Sequence, residues 1–127
     1  PTPDDVLAEL DLDLLDVHAL GDADFAQHLL QTFVTQTERA ADGLTDAREA
    51  EDWTTVRLLV HKVRPSLRMV GLDRLEAVAR GLDEEARTLA EGTSQSPASD
   101  FGARIEALVA GCRTVCEHLR HQTVAAS

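Results

Sequence analysis

The chain has 127 residues and a formal net charge of −11, with 23 acidic residues against 12 Lys and Arg. This acidity argues against a general nucleic-acid binder and against a protein that binds anionic membranes. No apolar run approaches the ~18 residues of a membrane-spanning helix, so we expect no membrane insertion. The length predicts one domain, residues 1–127, with a hydrophobic core of its own.

Residues 1–20 are predicted to form short N-terminal helical segments. Thr2 can cap a helix whose first residue is Pro3. A second short apolar segment ends at Gly21, and we expect it to cover one end of the fold. Its apolar residues are Leu12, Leu14, Leu15 and Val17.

Four longer amphipathic helices follow, because apolar residues recur at spacings of three and four. They are predicted at about 22–49, 52–69, 73–91 and 100–121, and Gly71 is expected to close the second. Residues 122–127 are expected to fray. Short polar connections and the lack of a strand pattern predict an all-α fold, with an antiparallel up-down-up-down four-helix bundle over residues 22–121.

The second long helix is the most unusual stretch of the chain. The residues of its apolar sector, which must be buried, are Trp53, Val56, Leu59, Val60, Val63, Leu67 and Val70. His61 projects about 140° from the centre of that sector, and a row of arginines lies beside it. These arginines are Arg57, Arg64 and Arg68. Pro65 removes the hydrogen bond to the carbonyl of His61, which predicts a bend beneath the histidine.

An outward-facing imidazole in a row of guanidinium groups has two interpretations. One is a solvated basic face without chemistry, since runs of charge are usually solvated. The other is a nucleophile that handles an anion, because neutral imidazole is nucleophilic and arginine matches the geometry of phosphoryl oxygens.

Other kinds of site are not indicated. Cys112 and Cys116 lie one turn apart, but His118 and His121 point away from them, so we predict core cysteines and no metal site. The chain has neither a glycine-rich loop for ATP nor a nucleophile elbow, and its many paired carboxylates are interpreted as solvated faces. Without a disulfide framework or a signal-peptide pattern, a cytoplasmic location is expected.

The segment His61-Lys62-Val63-Arg64-Pro65-Ser66, followed by Gly71-Leu72, resembles the motif of the histidine-containing phosphotransfer (HPt) domain family. That motif runs His-x-x-Lys-Gly-Ser, with a later glycine and then a leucine-rich helix. His61 matches the phospho-accepting histidine, and Arg64 and Ser66 match the basic and small polar residues. Arg64 stands where the family usually has lysine and Pro65 where it has glycine. The resemblance extends from about Leu12 to Arg120.

The resemblance implies a phosphocarrier of phosphorelay signalling. His61 would accept a phosphoryl group from the aspartyl phosphate of a receiver domain and pass it to another response regulator, while Arg64 neutralises charge. The other residues implied to bind the partner are Arg57, Leu58, Lys62, Pro65, Ser66, Arg68 and Met69. Receiver domains and a hybrid sensor histidine kinase are the implied partners. The chain would have no ATP site or cofactor of its own, with Mg²⁺ expected on the receiver.

Two alternatives stay open at this point. A non-phosphorylated helical module that binds receivers or forms dimers would keep the fold but leave His61 chemically idle, and Pro65 favours this alternative. A small helical carrier of metal or haem would show bound metal or visible absorbance in the purified protein.

Overall fold

The computed structural model describes the backbone of residues 2–92 and 96–126 and the side chains up to His121. Within these residues the chain is helical and has no strand, which confirms the predicted all-α class. The helices are α1 (Pro3–Glu9), α2 (Asp13–His18), α3 (Ala23–Glu49), α4 (Trp53–Met69), α5 (Asp73–Ala90) and α6 (Phe101–Ala126).

Side-chain caps explain where three of the helices begin. The Thr2 hydroxyl accepts a hydrogen bond from the backbone N–H of Asp5, whose carboxylate accepts one from the N–H of Thr2. The carboxylates of Asp22 and Asp52 cap α3 and α4. Each accepts a hydrogen bond from the backbone N–H of the third residue of its helix, Phe25 or Thr55. Each carboxylate or hydroxyl satisfies a donor that would otherwise have no partner in the first turn.

The four long helices form an antiparallel bundle. In the described part of the chain, α3 and α5 each pack against both α4 and α6, so that α4 and α6 lie diagonally opposite. Ion pairs show the direction of the α4–α5 pair, because Arg57 near the start of α4 meets Asp83, whereas Arg68 near its end meets Glu76. The predicted up-down-up-down bundle is therefore confirmed.

The core is built from the apolar sectors that the spacing predicts. On α4, Val56, Val60, Val63 and Leu67 are buried, while Trp53 and Leu59 at the margin are half-buried. Burying one such aliphatic side chain contributes roughly 1.5–3 kcal/mol relative to leaving it exposed. This burial fixes the rotation of α4 and so decides which residues face solvent.

The N-terminal segments cover the end of the bundle where α4 passes to α5, as expected. The backbone N–H of Asp11 donates to the carbonyl of Val70 at 2.8 Å, and Arg74 pairs with Glu9. The apolar residues of α2 are nevertheless mostly outside the core. Leu15 and the following Ala19 are buried, but Leu14, Val17 and Leu20 are exposed, because α2 is too short to turn a full apolar side inward.

The last helix differs from the prediction at its end. It continues to Ala126, beyond the predicted end at residue 121, and the fraying expected for residues 122–127 stays a prediction. Residues 122–126 contain no glycine or proline to stop a helix, and alanine at 125 and 126 favours one. The connection predicted at 92–99 is non-helical where it is described, and residues 93–95 of it lie outside the described residues.

Helix α4 runs without interruption through Pro65. The residues on both sides of Pro65 are helical although Pro65 has no N–H to donate. The bend expected there stays a prediction.

Candidate functional site

His61 lies on the solvent-facing side of α4. Its side chain is 74% exposed, although Val60 and Val63 beside it in the sequence are buried. The rotation of α4 that buries these valines therefore presents the imidazole to solvent, as the helical spacing predicts. Five residues nearby on α4 also reach the surface at least in part, and they are Arg57, Leu58, Lys62, Pro65 and Arg68.

The imidazole of His61 has a carboxylate partner on the neighbouring helix. Its Nδ1 lies 2.9 Å from Oδ2 of Asp83 on α5. The Asp83 side chain is only 11% exposed, so this carboxylate is held under the ring and away from bulk water. The contact fixes one edge of the imidazole and leaves the Nε2 edge without a protein partner among the described residues.

Arg64 bridges Asp83 to a second buried carboxylate. Its Nη1 donates to Oδ2 of Asp83 at 2.9 Å, and its Nε donates to Oε1 of Glu76 at 3.1 Å. The Arg64 side chain is 20% exposed and that of Glu76 is 7% exposed. Arg64 is therefore packed between two acids of α5 instead of extending into solvent beside His61.

The other arginines of the row meet the same two acids. Arg57 Nε lies 4.0 Å from Oδ1 of Asp83, and Arg68 Nε lies 3.6 Å from Oε1 of Glu76. Arg80 adds a hydrogen bond to Oε2 of Glu76 from within α5. The basic row predicted from the sequence is thus real, and its three arginines all pair with the two carboxylates of Asp83 and Glu76.

The ion pairs keep both acids charged. Burial on its own raises the pKa of the Asp83 carboxyl, but hydrogen bonds from His61 and Arg64 outweigh it and hold the pKa below its ordinary value. Burial likewise raises the pKa of Glu76, and hydrogen bonds from Arg64 and Arg80 reverse that shift. The hydrogen bond to Asp83 raises the pKa of Arg64 further above its ordinary value, despite partial burial. The cluster is therefore an ionised network.

Sequence reasoning missed Asp83 and Glu76. The interpretation of paired carboxylates as solvated faces is wrong for these two residues, which are both buried. A signal was available in the spacing. Glu76 and Asp83 are two turns apart on α5, as Arg57 and Arg64 are on α4, so two antiparallel helices in contact can pair both acids with the arginine row.

The opposite flank of α4 faces α3 across a shallow cavity of about 150 Å³. Lys62 and Ser66 contribute to its lining from α4, and Gln36, Thr37 and Arg39 from α3. The hydroxyl of Thr37 is buried and has no hydrogen-bond partner among the described residues. Lys62 and Ser66 are therefore separated from the arginine row, on the other side of the helix from Asp83.

The remaining predicted binding residues are Leu58, Pro65 and Met69, which lie on α4 between its α5-facing and α3-facing sides or near its end. Leu58 is 64% exposed one turn before Lys62, and Pro65 is exposed one turn after His61. Met69 is half-buried and packs against the core at the end of α4. The site therefore brings Leu58, His61 and Pro65 onto one outward strip and leaves Met69 at its edge.

The cysteines belong to the core, as predicted. Cys112 and Cys116 are free and buried, and burial raises the pKa of each thiol to about 12. Across residues 2–92 and 96–121, no three His, Cys, Asp or Glu side chains are grouped closely enough to hold a metal ion. None of the described helices combines the length and hydropathy needed to cross a membrane.

Comparisons with known proteins relate this arrangement to a family. The family model for the Hpt domain matches residues 28–122, which include α4, α5 and most of α3 and α6. The fold is also similar to the crystal structure of histidine-containing phosphotransfer protein B (HptB) from Pseudomonas aeruginosa PAO1. The two share 23% sequence identity at a TM-score of 0.71, over 90% of this chain and 93% of that one. A search of curated protein sequences gives no match.

Proposed function

The chain belongs to the Hpt domain family, whose role is histidine phosphotransfer in phosphorelay signalling, and on that premise we propose that His61 is the residue that carries the phosphoryl group. Five histidines are present in the chain. Among them, His61 matches the phospho-accepting histidine of the motif that the sequence resembles. The observation that carries the proposal is its 74% exposed imidazole on a helix whose other side is locked into the core.

The proposed reaction is transfer from an aspartyl phosphate of a receiver domain. A lone pair on a ring nitrogen of His61 attacks phosphorus, and the bond from phosphorus to the aspartyl oxygen breaks. The aspartate leaves as a carboxylate with the electron pair of that bond. Transfer to a second receiver is the same exchange in reverse, with a receiver aspartate as the nucleophile. Such transfers depend chiefly on in-line positioning and charge neutralisation.

A rigid helix is sufficient for this role. The receiver would supply its acidic pocket and Mg²⁺, which polarises the phosphoryl oxygens, so this chain needs no cofactor or ATP site of its own. The outward strip of Leu58, His61 and Pro65 would then contact the receiver, with Lys62 and Arg57 on its flanks. A hybrid sensor histidine kinase upstream and a response regulator downstream are the proposed partners, in the cytoplasm.

The test is label transfer from a receiver charged with a small-molecule phosphodonor. We expect the wild type to take up label that is stable to alkali and lost in acid, as a phosphoramidate should be. The His61→Gln variant should take up none. Its free energy of unfolding should change by less than about 1 kcal/mol, because an exposed side chain has little packing to lose and Asp83 keeps its hydrogen bond from Arg64.

The matched control is His28→Gln, which removes another exposed histidine, on α3. It should be labelled like the wild type. Label that persists in His61→Gln would contradict the assignment. A wild type that binds several receivers without ever being labelled would instead support a non-phosphorylated docking module.

A further inference from the structure

We propose that the cavity between α3 and α4 is a binding site for a small oxyanion with the size and charge of inorganic phosphate. The cavity measures about 150 Å³, and its lining includes Lys62, the residue that follows His61. A water molecule occupies about 30 Å³ in the liquid, so the cavity has room for a tetrahedral oxyanion.

The lining of this cavity is positively charged. Arg39 contributes to it from α3 and Lys62 from α4, and both side chains are exposed without an ion pair in the described part of the chain. No described Asp or Glu lines the cavity, although acids outnumber Lys and Arg by 23 to 12 in the whole chain. The neighbouring Glu38 pairs instead with Arg120 of α6. Two cations without an acid between them attract an anion.

The lining also contains a buried hydroxyl group without a partner. Thr37 is 1% exposed, and its Oγ1 forms no hydrogen bond within the described residues. A threonine inside a helix can donate to the carbonyl one turn before it, as Thr45 of the same helix does to Ala41 at 3.1 Å. Buried polar groups of native proteins are nearly always paired, so an unpaired hydroxyl in a cavity wall indicates a ligand that accepts from it.

The remaining polar groups of the lining can donate hydrogen bonds as well. Gln36 supplies an amide NH₂ group from α3, and Ser66 supplies a half-buried hydroxyl from α4. Together with Thr37, Arg39 and Lys62, they bring donors from two helices to one small volume, and the oxygens of phosphate are acceptors. A carboxylate offers the same chemistry with a single charge, so we expect it to bind less tightly than doubly charged phosphate.

An anion in this cavity would affect the exchange of phosphoryl groups, and this part of the inference rests on the proposed function. Lys62 directly follows His61, so the bound anion would lie beside the strip that a receiver must approach. It would also neutralise the positive charge that the α3 side of the site presents to an acidic partner. Free phosphate should therefore compete with the receiver.

A titration of the complete chain with inorganic phosphate tests the site without any receiver. Nuclear magnetic resonance of ¹⁵N-labelled protein follows the backbone amides while sodium chloride keeps the ionic strength constant. We expect saturable shifts centred on residues 36–40 and 62–66, with a dissociation constant of about 1 mM or lower. Acetate, the carboxylate probe, should bind at the same place about threefold more weakly or worse.

The unpaired hydroxyl is tested by a matched pair of variants. Thr37→Val removes it with little change of shape, whereas Thr45→Val removes a hydroxyl that already has a partner. Thr37→Val should bind phosphate about three- to tenfold more weakly, the range expected for one lost hydrogen bond, and Thr45→Val should bind it like the wild type.

Thermal unfolding shows whether these two variants are folded. Without phosphate, Thr37→Val should unfold at the wild-type temperature or above it, because no hydrogen bond is lost. Added phosphate should raise the unfolding temperature of the wild type more than that of Thr37→Val, since a ligand stabilises the folded state that binds it.

A second pair of variants tests the charge. Lys62→Gln should weaken phosphate binding about threefold or more, while Arg113→Gln, with the same change in net charge on α6, should leave it unchanged. Shifts that never saturate, or equal phosphate affinity in the wild type, Thr37→Val and Lys62→Gln, would overturn the site. Binding of acetate without binding of phosphate would overturn free phosphate as the ligand and indicate an acidic side chain of a partner.

Competition is measured by calorimetry of receiver binding in phosphate and in chloride of equal ionic strength. At a phosphate concentration equal to its dissociation constant, the affinity for the receiver should fall about twofold, and this fall should be smaller in Thr37→Val. Equal affinities in the two salts would overturn the competition. A wild type that binds phosphate but takes no label from any receiver would overturn the proposed function and leave the anion site standing.

Discussion

The positive charges on the two sides of His61 differ in whether they are paired. Arg57, Arg64 and Arg68 face α5 and meet its acids, whereas Lys62 faces α3 and has no ion pair among the described residues. Arg39, across the shallow cavity from Lys62, has none within the same residues either. The α3 side of the site therefore presents positive charges without an ion-pair partner in the described part of the chain to an acidic partner.

This difference predicts which cations set receiver affinity. Replacing Lys62 or Arg39 by alanine should weaken binding to the receiver by about two- to fivefold each, since exposed charges at an interface typically contribute up to about 1 kcal/mol. The loss should shrink as salt is raised, because mobile ions screen exposed charges. Isothermal titration calorimetry at two salt concentrations measures both effects.

The control is Arg113→Ala, which makes the same change in net charge on α6, diagonally opposite α4. Arg113 is half exposed and pairs with Asp42. Equal losses in all three variants would show that binding depends only on total charge, and would contradict a specific role for the α3 side of the site.

At the level of single residues, the sequence predicted exposure better than pairing. The helical spacing placed His61 in solvent because the rotation of a helix follows from its own apolar residues. The partnership of His61 with Asp83 depends on the register between two helices. That register is set by packing along both helices. The pattern of apolar residues in one helix carries no information about it.

At the level of elements, helix starts were predicted closely because caps are local. Thr2, Asp22 and Asp52 satisfy backbone donors within three residues of themselves, so the sequence alone reveals them. The end of α6 was predicted too early, because no stop signal marks it. Fewer apolar residues of α2 are buried than the sequence predicted, because their burial depends on contacts with the distant helices of the bundle.

The turn between α4 and α5 requires a glycine for two separate reasons. Gly71 has a φ of +80°, a region that side chains disfavour. A Cβ added there would also lie 3.1 Å from the carbonyl oxygen of Glu9 and 3.2 Å from Cβ of Asp11. The N-terminal segment therefore packs directly on the α carbon of Gly71.

We predict that Gly71→Ala lowers the free energy of unfolding by about 2–3 kcal/mol, from backbone strain together with steric crowding. Gly21→Ala is the matched control. Gly21 has a φ of +79° but no described atom within 4 Å of the added Cβ, so it should lose only about 1 kcal/mol. Urea denaturation measures both, and equal losses would show that the N-terminal segment does not press on this turn.

At the level of the whole molecule, charge is distributed unevenly. The protein carries a net charge of −11, yet α4 contains four Lys or Arg residues and no Asp or Glu. Asp83 and Glu76 on α5 pair with three of these four cations, Arg57, Arg64 and Arg68. The acids whose pKa is lowered by these contacts link the stability of the fold to pH.

Glu76 is one of the acids that link stability to pH. Its pKa in the folded protein is below the ordinary 4.5. Its ionised form therefore stabilises the fold above that value, and the stabilisation is lost as pH falls through the folded pKa. Glu76→Gln should destabilise the protein by about 1–3 kcal/mol near neutral pH, because Arg64 and Arg80 lose a charged acceptor.

The difference in stability between wild type and Glu76→Gln should shrink as pH is lowered below 4.5. Urea denaturation at a series of pH values measures it. Glu117→Gln, at an exposed position of α6, serves as the control and should remain close to the wild type throughout. A difference for Glu76→Gln that stayed constant from neutral to acid pH would contradict the ionised network.

The most direct test of whether His61 carries a phosphoryl group between receivers follows that group through both steps. Wild-type protein labelled by one receiver is purified, its labelled residue is identified by mass spectrometry, and it is then mixed with a second, unlabelled receiver and Mg²⁺. We predict label on His61 first and on the second receiver afterwards. Label on any other residue, or label on His61 that no receiver removes, would contradict the account.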